Sequence, residues 1–342
     1  MTGSAFRPAW WLPGPHLPTL YGRLARRLPP APTRAERWPT PDGDAVTVHR
    51  LAGRPGQPRV LLLHGLESGI HAPYVQGLLH EALRRGWAAD LLVWRTCDPE
   101  HAVNAVRRAY HSGETTDTAM VVQRLVAEAP GMPLGIVGVS LGGNVLLKWL
   151  GTHPEAIPSE VVAAVAVSVP YDLGRASRYL ERGVNTIYTR YFLRSLVAKT
   201  QRKLVRFPDL VDAEALAALR TLWEFDDLVT GPLHGFSGAD DYYTRCSSLP
   251  VLARVDRATL LLNAVDDPFM PSTVLDDVRD AVASHPTVSI EFPRRGGHVG
   301  FVSGAVPAKA HYWMESRVFD WLAPRVGDAR VPIAPVGARA AP

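Results

Sequence analysis

From Val60 onward, short apolar runs alternate with segments in which apolar positions recur every three or four residues. Val60-Leu61-Leu62-Leu63 is continuous and ends in His64-Gly65, the pattern of a strand buried on both faces. Tyr74, Leu78, Leu79 and Leu83 then follow helical spacing, stopped by Gly86. Leu91-Leu92-Val93-Trp94 reads as the next strand, and Val121, Val122, Leu125 and Val126 as the next helix. Glu114 and Asp117 stand near that helix start, where the dipole favours acids, and Gly131 lies beyond its end. Leu134 to Val139 and Val161 to Val169 are further apolar strands on either side of an amphipathic helix. Upstream, Asp42-Gly43-Asp44 before the alternating Val46-Thr47-Val48 predicts an early hairpin. Continuous runs alternating with helices predict an α/β fold: a mainly parallel central sheet covered by helices on both faces.

The rhythm breaks between Tyr171 and about Arg254. Val184, Ile187, Tyr188, Tyr191 and Phe192 have helical spacing interleaved with Arg182, Arg190 and Arg194. A second helix is predicted through Leu216, Leu219, Leu222 and Trp223, after Asp212 as its cap. Two or three helices without strands, set between sheet strands, read as a cap over the sheet edge. Strand and helix resume with Thr259-Leu260-Leu261-Leu262, then Val274, Leu275, Val278 and Val282, then Val288 to Phe292, and a closing helix carrying Tyr312, Phe319 and Leu322. The expected organisation is an aromatic and basic arm over 1–40, a core over 41–170 and 255–327, a helical cap over 171–254, and a disordered tail over 328–342. The arm, with Phe6, Trp10 and Trp11 and then Arg23, Arg26, Arg27, Arg34 and Arg37, either packs on the body or makes a peripheral contact with lipid or a partner.

Composition narrows the classes. Of 37 basic residues four are lysine (Lys148, Lys199, Lys203, Lys309), and arginine with abundant alanine and proline reflects codon usage more than nucleic-acid binding. Cys97 and Cys246 lie far apart and form no C-x-x-C, which argues against a disulfide framework or a zinc site. No apolar run reaches the ~18 residues of a membrane span. Prolines 8, 13, 15 and 18 interrupt any signal-peptide core, so a cytoplasmic location is expected.

Candidate chemistry centres on Gly138-Val139-Ser140-Leu141-Gly142, a G-x-S-x-G turn between an apolar strand and a helix. Such a turn holds a serine hydroxyl above the sheet, and side chains at the flanking positions would collide with strand and helix. A serine nucleophile needs a base, and the base an orienter, expected in the order Ser, acid, His after later strands. Asp266 and Asp267 follow the strand ending at Leu262, and His298 sits in Arg295-Gly296-Gly297-His298-Val299-Gly300-Phe301 after the last strand. Both aspartates compete for the orienter; the register from residue 264 to Pro271 favours Asp267. Oxyanion donors are expected from the backbone N–H of Leu141 and, in the His64-Gly65-Leu66 turn, of Leu66. His64 is read as shaping that turn, and Ser112 as a helix cap. His71, His111, His234 and His311 fall in no metal-ligand spacing, and Glu67 and Glu224 read as surface or structural carboxylates. No phosphate loop or dinucleotide fingerprint is present, and no cofactor is called for. Tyr188, Tyr191, Phe192 and Trp223 either line an apolar acyl pocket or form simple cap core.

These motifs, together with Trp11 to Leu20, Arg108-Ala109-Tyr110-His111-Ser112-Gly113-Glu114, Asp266 to Met270 and Gly296 to Phe301, resemble the YheT-like branch of the α/β-hydrolases, which includes abhydrolase-domain phospholipases and medium-chain ester synthases. The resemblance implies an α/β-hydrolase fold with a Ser-Asp-His triad, here Ser140, Asp267 and His298, and hydrolysis of short- to medium-chain acyl esters. Thr96-Cys97-Asp98-Pro99-Glu100 departs from the branch, shortening a loop at the pocket mouth. The expectation is a serine carboxylesterase. Acyl transfer or phospholipase-type lipid hydrolysis by the same residues is the alternative, and a non-catalytic binding scaffold the lesser one.

Overall fold

The structure is a computed structural model and describes residues 6–327. The proposed tail at 328–342 lies outside the described residues. Eight strands form one sheet: β1 (Thr33–Pro39), β2 (Ala45–Leu51), β3 (Arg59–Leu63), β4 (Ala88–Val93), β5 (Leu134–Val139), β6 (Val161–Val167), β7 (Ala258–Leu262) and β8 (Val288–Glu291). Their order is β1-β2-β4-β3-β5-β6-β7-β8, with β2 antiparallel to both neighbours and every pairing from β4 to β8 parallel. All six residues of β5 are buried. Helices cover both faces of such a strand, which is why the apolar run is unbroken.

Helices α1 (His16–Ala25), α2 (Pro73–Arg85), α3 (Thr116–Glu128) and α4 (Leu141–Thr152) precede or interleave these strands. Gly86 ends α2 in the left-handed region at φ 74°. Between β6 and β7 come α5 (Leu173–Leu180), α6 (Thr186–Leu204), α7 (Ala213–Ala218), α8 (Leu222–Phe225), α9 (Gly231–Leu233) and α10 (Ala239–Cys246). The final elements are α11 (Thr273–Val282), a small hairpin of β9 (Val302–Ser303) and β10 (His311–Tyr312), and α12 (Trp313–Leu322).

Several expectations are corrected. The inserted segment holds six helices rather than two or three, five of them short and α6 of 19 residues. Its predicted Leu216–Trp223 helix is broken, because Leu219 turns to ψ 141° and a capping box of Thr221 and Glu224 starts α8 afresh. Val184 precedes α6 and is exposed. Tyr312 belongs to β10, not the closing helix. The segment 1–40 is not wholly an arm: β1 is an edge strand of the main sheet, hidden in sequence because Trp38 is buried and the other six residues are not. Ser112 caps no helix; at the start of α3 the Glu114 carboxylate accepts the Thr116 N–H. The Asp42-Gly43-Asp44 turn does join β1 to β2. Its two carboxylates, with that of Asp117, also surround the buried guanidinium of Arg95 at 2.7–3.1 Å.

Candidate active site

Parallel strands put their C-terminal ends on one sheet edge, and β5, β7 and β8 each deliver one segment there. Ser140 follows β5 at φ 55°, ψ −120°, conformational strain that the surrounding packing must hold. A Cβ at Gly138 would stand 2.4 Å from the Gly142 carbonyl, and one at Gly142 would stand 2.3 Å from the Leu63 carbonyl. The elbow therefore tolerates no side chain at either flank. Within α4, the buried Asn144 amide donates to the carbonyls of Ser112 and Cys246 and accepts from the Ser248 N–H, tying the elbow helix to both loops.

His298 Nε2 lies 3.0 Å from Ser140 Oγ, and its Nδ1 lies 2.9 Å from Asp267 Oδ2. Asp267 and His298 are both buried. The Phe269 ring stacks on the imidazole at 3.8 Å, and the Phe269 N–H donates to Asp267 Oδ1. Asp266 points elsewhere: its Oδ1 accepts the Gly297 N–H at 2.9 Å, and burial pushes its carboxyl up from the ordinary value. Of the two competing aspartates, Asp267 meets the imidazole and Asp266 holds the histidine loop. Leu66 borders the same space as Ser140, and Leu141 follows it; neither N–H has an acceptor among the described residues.

His64 is fully buried and neutral. Its Nδ1–H donates to the Gly65 carbonyl, its Nε2 accepts the Trp94 N–H, and burial pushes its pKa down to about 3. It shapes the turn and has no proton to exchange with a substrate.

Sequence reasoning missed three groups. The first is Thr19 in α1, whose hydroxyl accepts the His298 N–H at 2.8 Å and donates to the Pro15 carbonyl. Gly297, at φ 63°, lies so close that a Cβ there would sit 2.5 Å from the Pro15 carbonyl and 2.6 Å from Thr19 Oγ1. The second is Ser168, whose hydroxyl accepts the Val299 N–H at 3.0 Å. The amino-terminal segment is thus a wall of the histidine loop. Replacing Thr19 by valine leaves that N–H unpaired and frees the loop. The expected result is a fall in kcat/KM of about ten- to a hundredfold and a loss of about 1–3 kcal/mol in stability, both restored by Thr19→Ser.

Glu67 is the third. Its side chain is 1% exposed, the structural rather than the surface of its two readings, and it accepts from the Tyr110 hydroxyl at 2.7 Å, from Lys199 Nζ at 2.9 Å and from the Ser195 hydroxyl. Its own N–H donates to the Tyr110 oxygen at 3.0 Å. Nothing in the sequence marks it, since its partners arrive from the 110 loop and from α6.

Two cavities meet at Ser140 and His298. The inner one, about 150 Å³, is walled largely by Leu141, Leu180, Phe192, Leu222, Phe225 and Val229. The outer one, about 960 Å³, runs between α1, α6 and the 96–99 loop, which borders the mouth. Of the four cap aromatics, Phe192 lines both and Tyr188 and Tyr191 the outer. Trp223 lines neither; it packs beside Leu173, Tyr242 and Tyr243, its indole N–H donating to Asp240.

Two carboxyl groups line the inner cavity, Glu67 and Asp226. Burial pushes Asp226 up to about 6, against hydrogen bonds from Thr230 and Tyr243. The folded value lies above that of the unfolded chain, so stability is lost as pH rises from about 4 to about 6. Asp226→Asn should therefore leave the urea midpoint nearly unchanged at about pH 4 and add about 3 kcal/mol at about pH 8.

No helix among the described residues is long and apolar enough to cross a membrane. The α/β hydrolase fold model matches residues 58–305. The chain is 38% identical over 312 residues to the putative esterase YheT of Escherichia coli (strain K12), covering 90% of this chain and 89% of that protein. It is 28% identical to phospholipase ABHD3 of Mus musculus, over 92% of this chain and 77% of that one. Among solved structures, the Pyrococcus furiosus esterase Pf2001 shares the fold at a TM-score of 0.57 and 16% identity, covering 89% of this chain and 96% of that chain. The chain belongs to the α/β-hydrolase fold family, in the branch that holds the putative esterase YheT.

Proposed function

We propose that the protein is a serine carboxylesterase that cleaves short- to medium-chain acyl esters through an acyl-enzyme on Ser140. The observation that carries this reading is the His298 imidazole, which spans the Ser140 hydroxyl at 3.0 Å and the Asp267 carboxylate at 2.9 Å. His298 Nε2 takes the Oγ proton as the oxygen attacks the ester carbonyl, and Asp267 holds the imidazolium that results. The N–H groups of Leu66 and Leu141 receive the developing oxyanion. The imidazolium returns its proton to the departing alkoxide. A water, deprotonated by the same nitrogen, then breaks the acyl-serine bond and releases the acid.

The apolar inner cavity suits the acyl chain, and the wider outer cavity suits the alcohol portion. The names of relatives, a putative esterase and a phospholipase, support ester substrates with lipid-like acyl groups. A second reading, transfer of the acyl group to an alcohol, is favoured by the same outer cavity, which has room for an acceptor beside Ser140. The test is a chain-length series of aryl esters from acetate to palmitate, with product analysis in added ethanol. Turnover peaking at short to medium chains, with free acid as product, is expected. Ethyl ester as the main product would move the assignment to transfer. Absence of both turnover and fluorophosphonate labelling would overturn the esterase reading.

A further inference from the structure

Two helices flank the opening of the outer cavity, and they share an unusual composition. Residues 16–27, which hold α1, and 186–204, which are α6, contain eight arginines and lysines and no Asp or Glu. The whole chain is +4, so all other positions together sum to −4. Of the eight, Arg23, Arg26, Arg27, Lys199 and Arg202 border this mouth, where Arg26 pairs with Glu315 and Lys199 with Glu67. Arg23, Arg27 and Arg202 are exposed there and make no ion pair with any described carboxylate. Arg23 instead lies over the Tyr191 ring at 4.5 Å.

The same rim carries large apolar side chains in water. Leu24 is 66% exposed, Ile187 58% and Tyr191 42%, and all three border the cavity that leads to Ser140. Leu17, on α1, is exposed as well. None of these side chains supports the packed core. A soluble surface gains nothing from leucine and isoleucine set among unpaired guanidinium groups. Where hydrocarbon lies just below a layer of phosphates, both kinds of residue find their partner: the apolar tips enter the acyl boundary and the arginines fork onto phosphate oxygens.

We propose that this face, formed by residues 16–27 and the cavity side of α6, docks on an anionic lipid bilayer and opens the Ser140 cavity directly onto it. The chemistry favours lipid over an acidic protein because the apolar residues are dispersed around an opening rather than gathered in one patch that a partner side chain would fill. Trp10, although 77% exposed, donates its indole N–H to the Ala305 carbonyl, so the arm's tryptophans are not the centre of this face. The purpose assigned to the face rests on the ester-hydrolase reading, while the binding itself does not.

Co-sedimentation of the full chain with vesicles tests it. Phosphatidylcholine vesicles containing phosphatidylglycerol should bind the protein, those of phosphatidylcholine alone far less, and added salt should release it. Changing Arg23, Arg27 and Arg202 together to glutamine should weaken binding about a hundredfold, at about fivefold per arginine. Leu24→Asp with Ile187→Asp should weaken it further at unchanged charge on the arginines. Circular dichroism would establish that both variants fold. Equal sedimentation of wild type and variants, or no binding to either vesicle, overturns the proposal. So does a solution dimer that these substitutions dissociate, since the face would then belong to a second copy. Turnover of a water-soluble acetate ester by the wild type, without vesicles, reads the catalytic assignment separately.

Discussion

Replacement of Ser140 by alanine is expected to lower kcat for a short aryl ester by on the order of a millionfold while leaving the fold intact. Its Oγ is the hydroxyl placed by the elbow within reach of the imidazole, at 3.0 Å from Nε2. Alanine keeps the backbone conformation and removes only the oxygen. His298→Ala should cost nearly as much, because an unionised serine with no base is a weak nucleophile. The two losses should not add. Nucleophile and base act in one step, so the double variant should be no slower than either single one. A residual acceleration of about a thousandfold over water should survive in all three, supplied by the Leu66 and Leu141 N–H groups and by cavity binding. Steady-state kinetics, with active-site titration by a fluorophosphonate and thermal melts on each variant, give the comparison. Near-normal turnover by Ser140→Ala would remove the acyl-enzyme from the mechanism, and additive losses would mean that His298 acts somewhere other than on Ser140.

What the sequence made legible has a common physical origin. Strands buried on both faces must be apolar throughout, so β3, β5, β6 and β7 are visible as runs. The elbow is visible because two backbone approaches near 2.3 Å admit glycine alone. The loops bearing Asp267 and His298 follow the strand rhythm and can be placed by order. What escaped was chemistry whose partners come from distant segments. Asp117 looks like a residue favourable to a helix dipole and is a ligand of the buried Arg95, 22 positions away. Glu67 could be read as a surface or a structural acid, and it collects Tyr110, Ser195 and Lys199 from 43, 128 and 132 positions away. Thr19 stands 279 positions from the histidine whose N–H it accepts. Local pattern carries no trace of such pairs. The same holds for Trp223: helical spacing groups it with Leu216, Leu219 and Leu222, but within α8 it faces Leu173, Tyr242 and Tyr243 while Leu222 faces the other cluster.

The network at Glu67 joins the inserted helices to the chemistry. Leu66, the proposed oxyanion donor, precedes it directly, and Glu67 itself holds φ 51°, a strained value for a residue with a side chain. Ser195 and Lys199 lie one turn apart on α6, so both reach the same carboxylate. Lys199 Nζ also stands 3.3 Å from Cys97 Sγ, in the loop that follows β4. The helix that roofs both cavities therefore fixes the turn that would stabilise the oxyanion. Loss of the roof and loss of the donor should be one event rather than two.

The adjacent aspartates give the sharpest separation of roles. Asp267→Asn should lower kcat by about four orders of magnitude, because an amide facing Nδ1 no longer fixes the tautomer that leaves Nε2 free to take the serine proton, nor balances the imidazolium. Asp266→Asn keeps an oxygen to accept the Gly297 N–H, and it removes a carboxyl that burial already disfavours as an anion. Its effect on kcat should be within a few fold, with stability unchanged or slightly raised. Asp266→Ala deletes the acceptor and leaves a backbone N–H unpaired, which costs about 1–3 kcal/mol and loosens the histidine loop. The expected order of kcat is therefore wild type, then Asp266→Asn, then Asp266→Ala, and far below them Asp267→Asn. Thermal melts run alongside the kinetics distinguish a misplaced loop from a missing charge: Asp266→Ala should melt earlier, whereas Asp267→Asn should lose its rate without losing its melting temperature. If Asp266→Asn proved the slower of the two amide variants, the orienting carboxylate would have to be reassigned, because one residue of the pair touches the imidazole and the other touches only the chain that carries it.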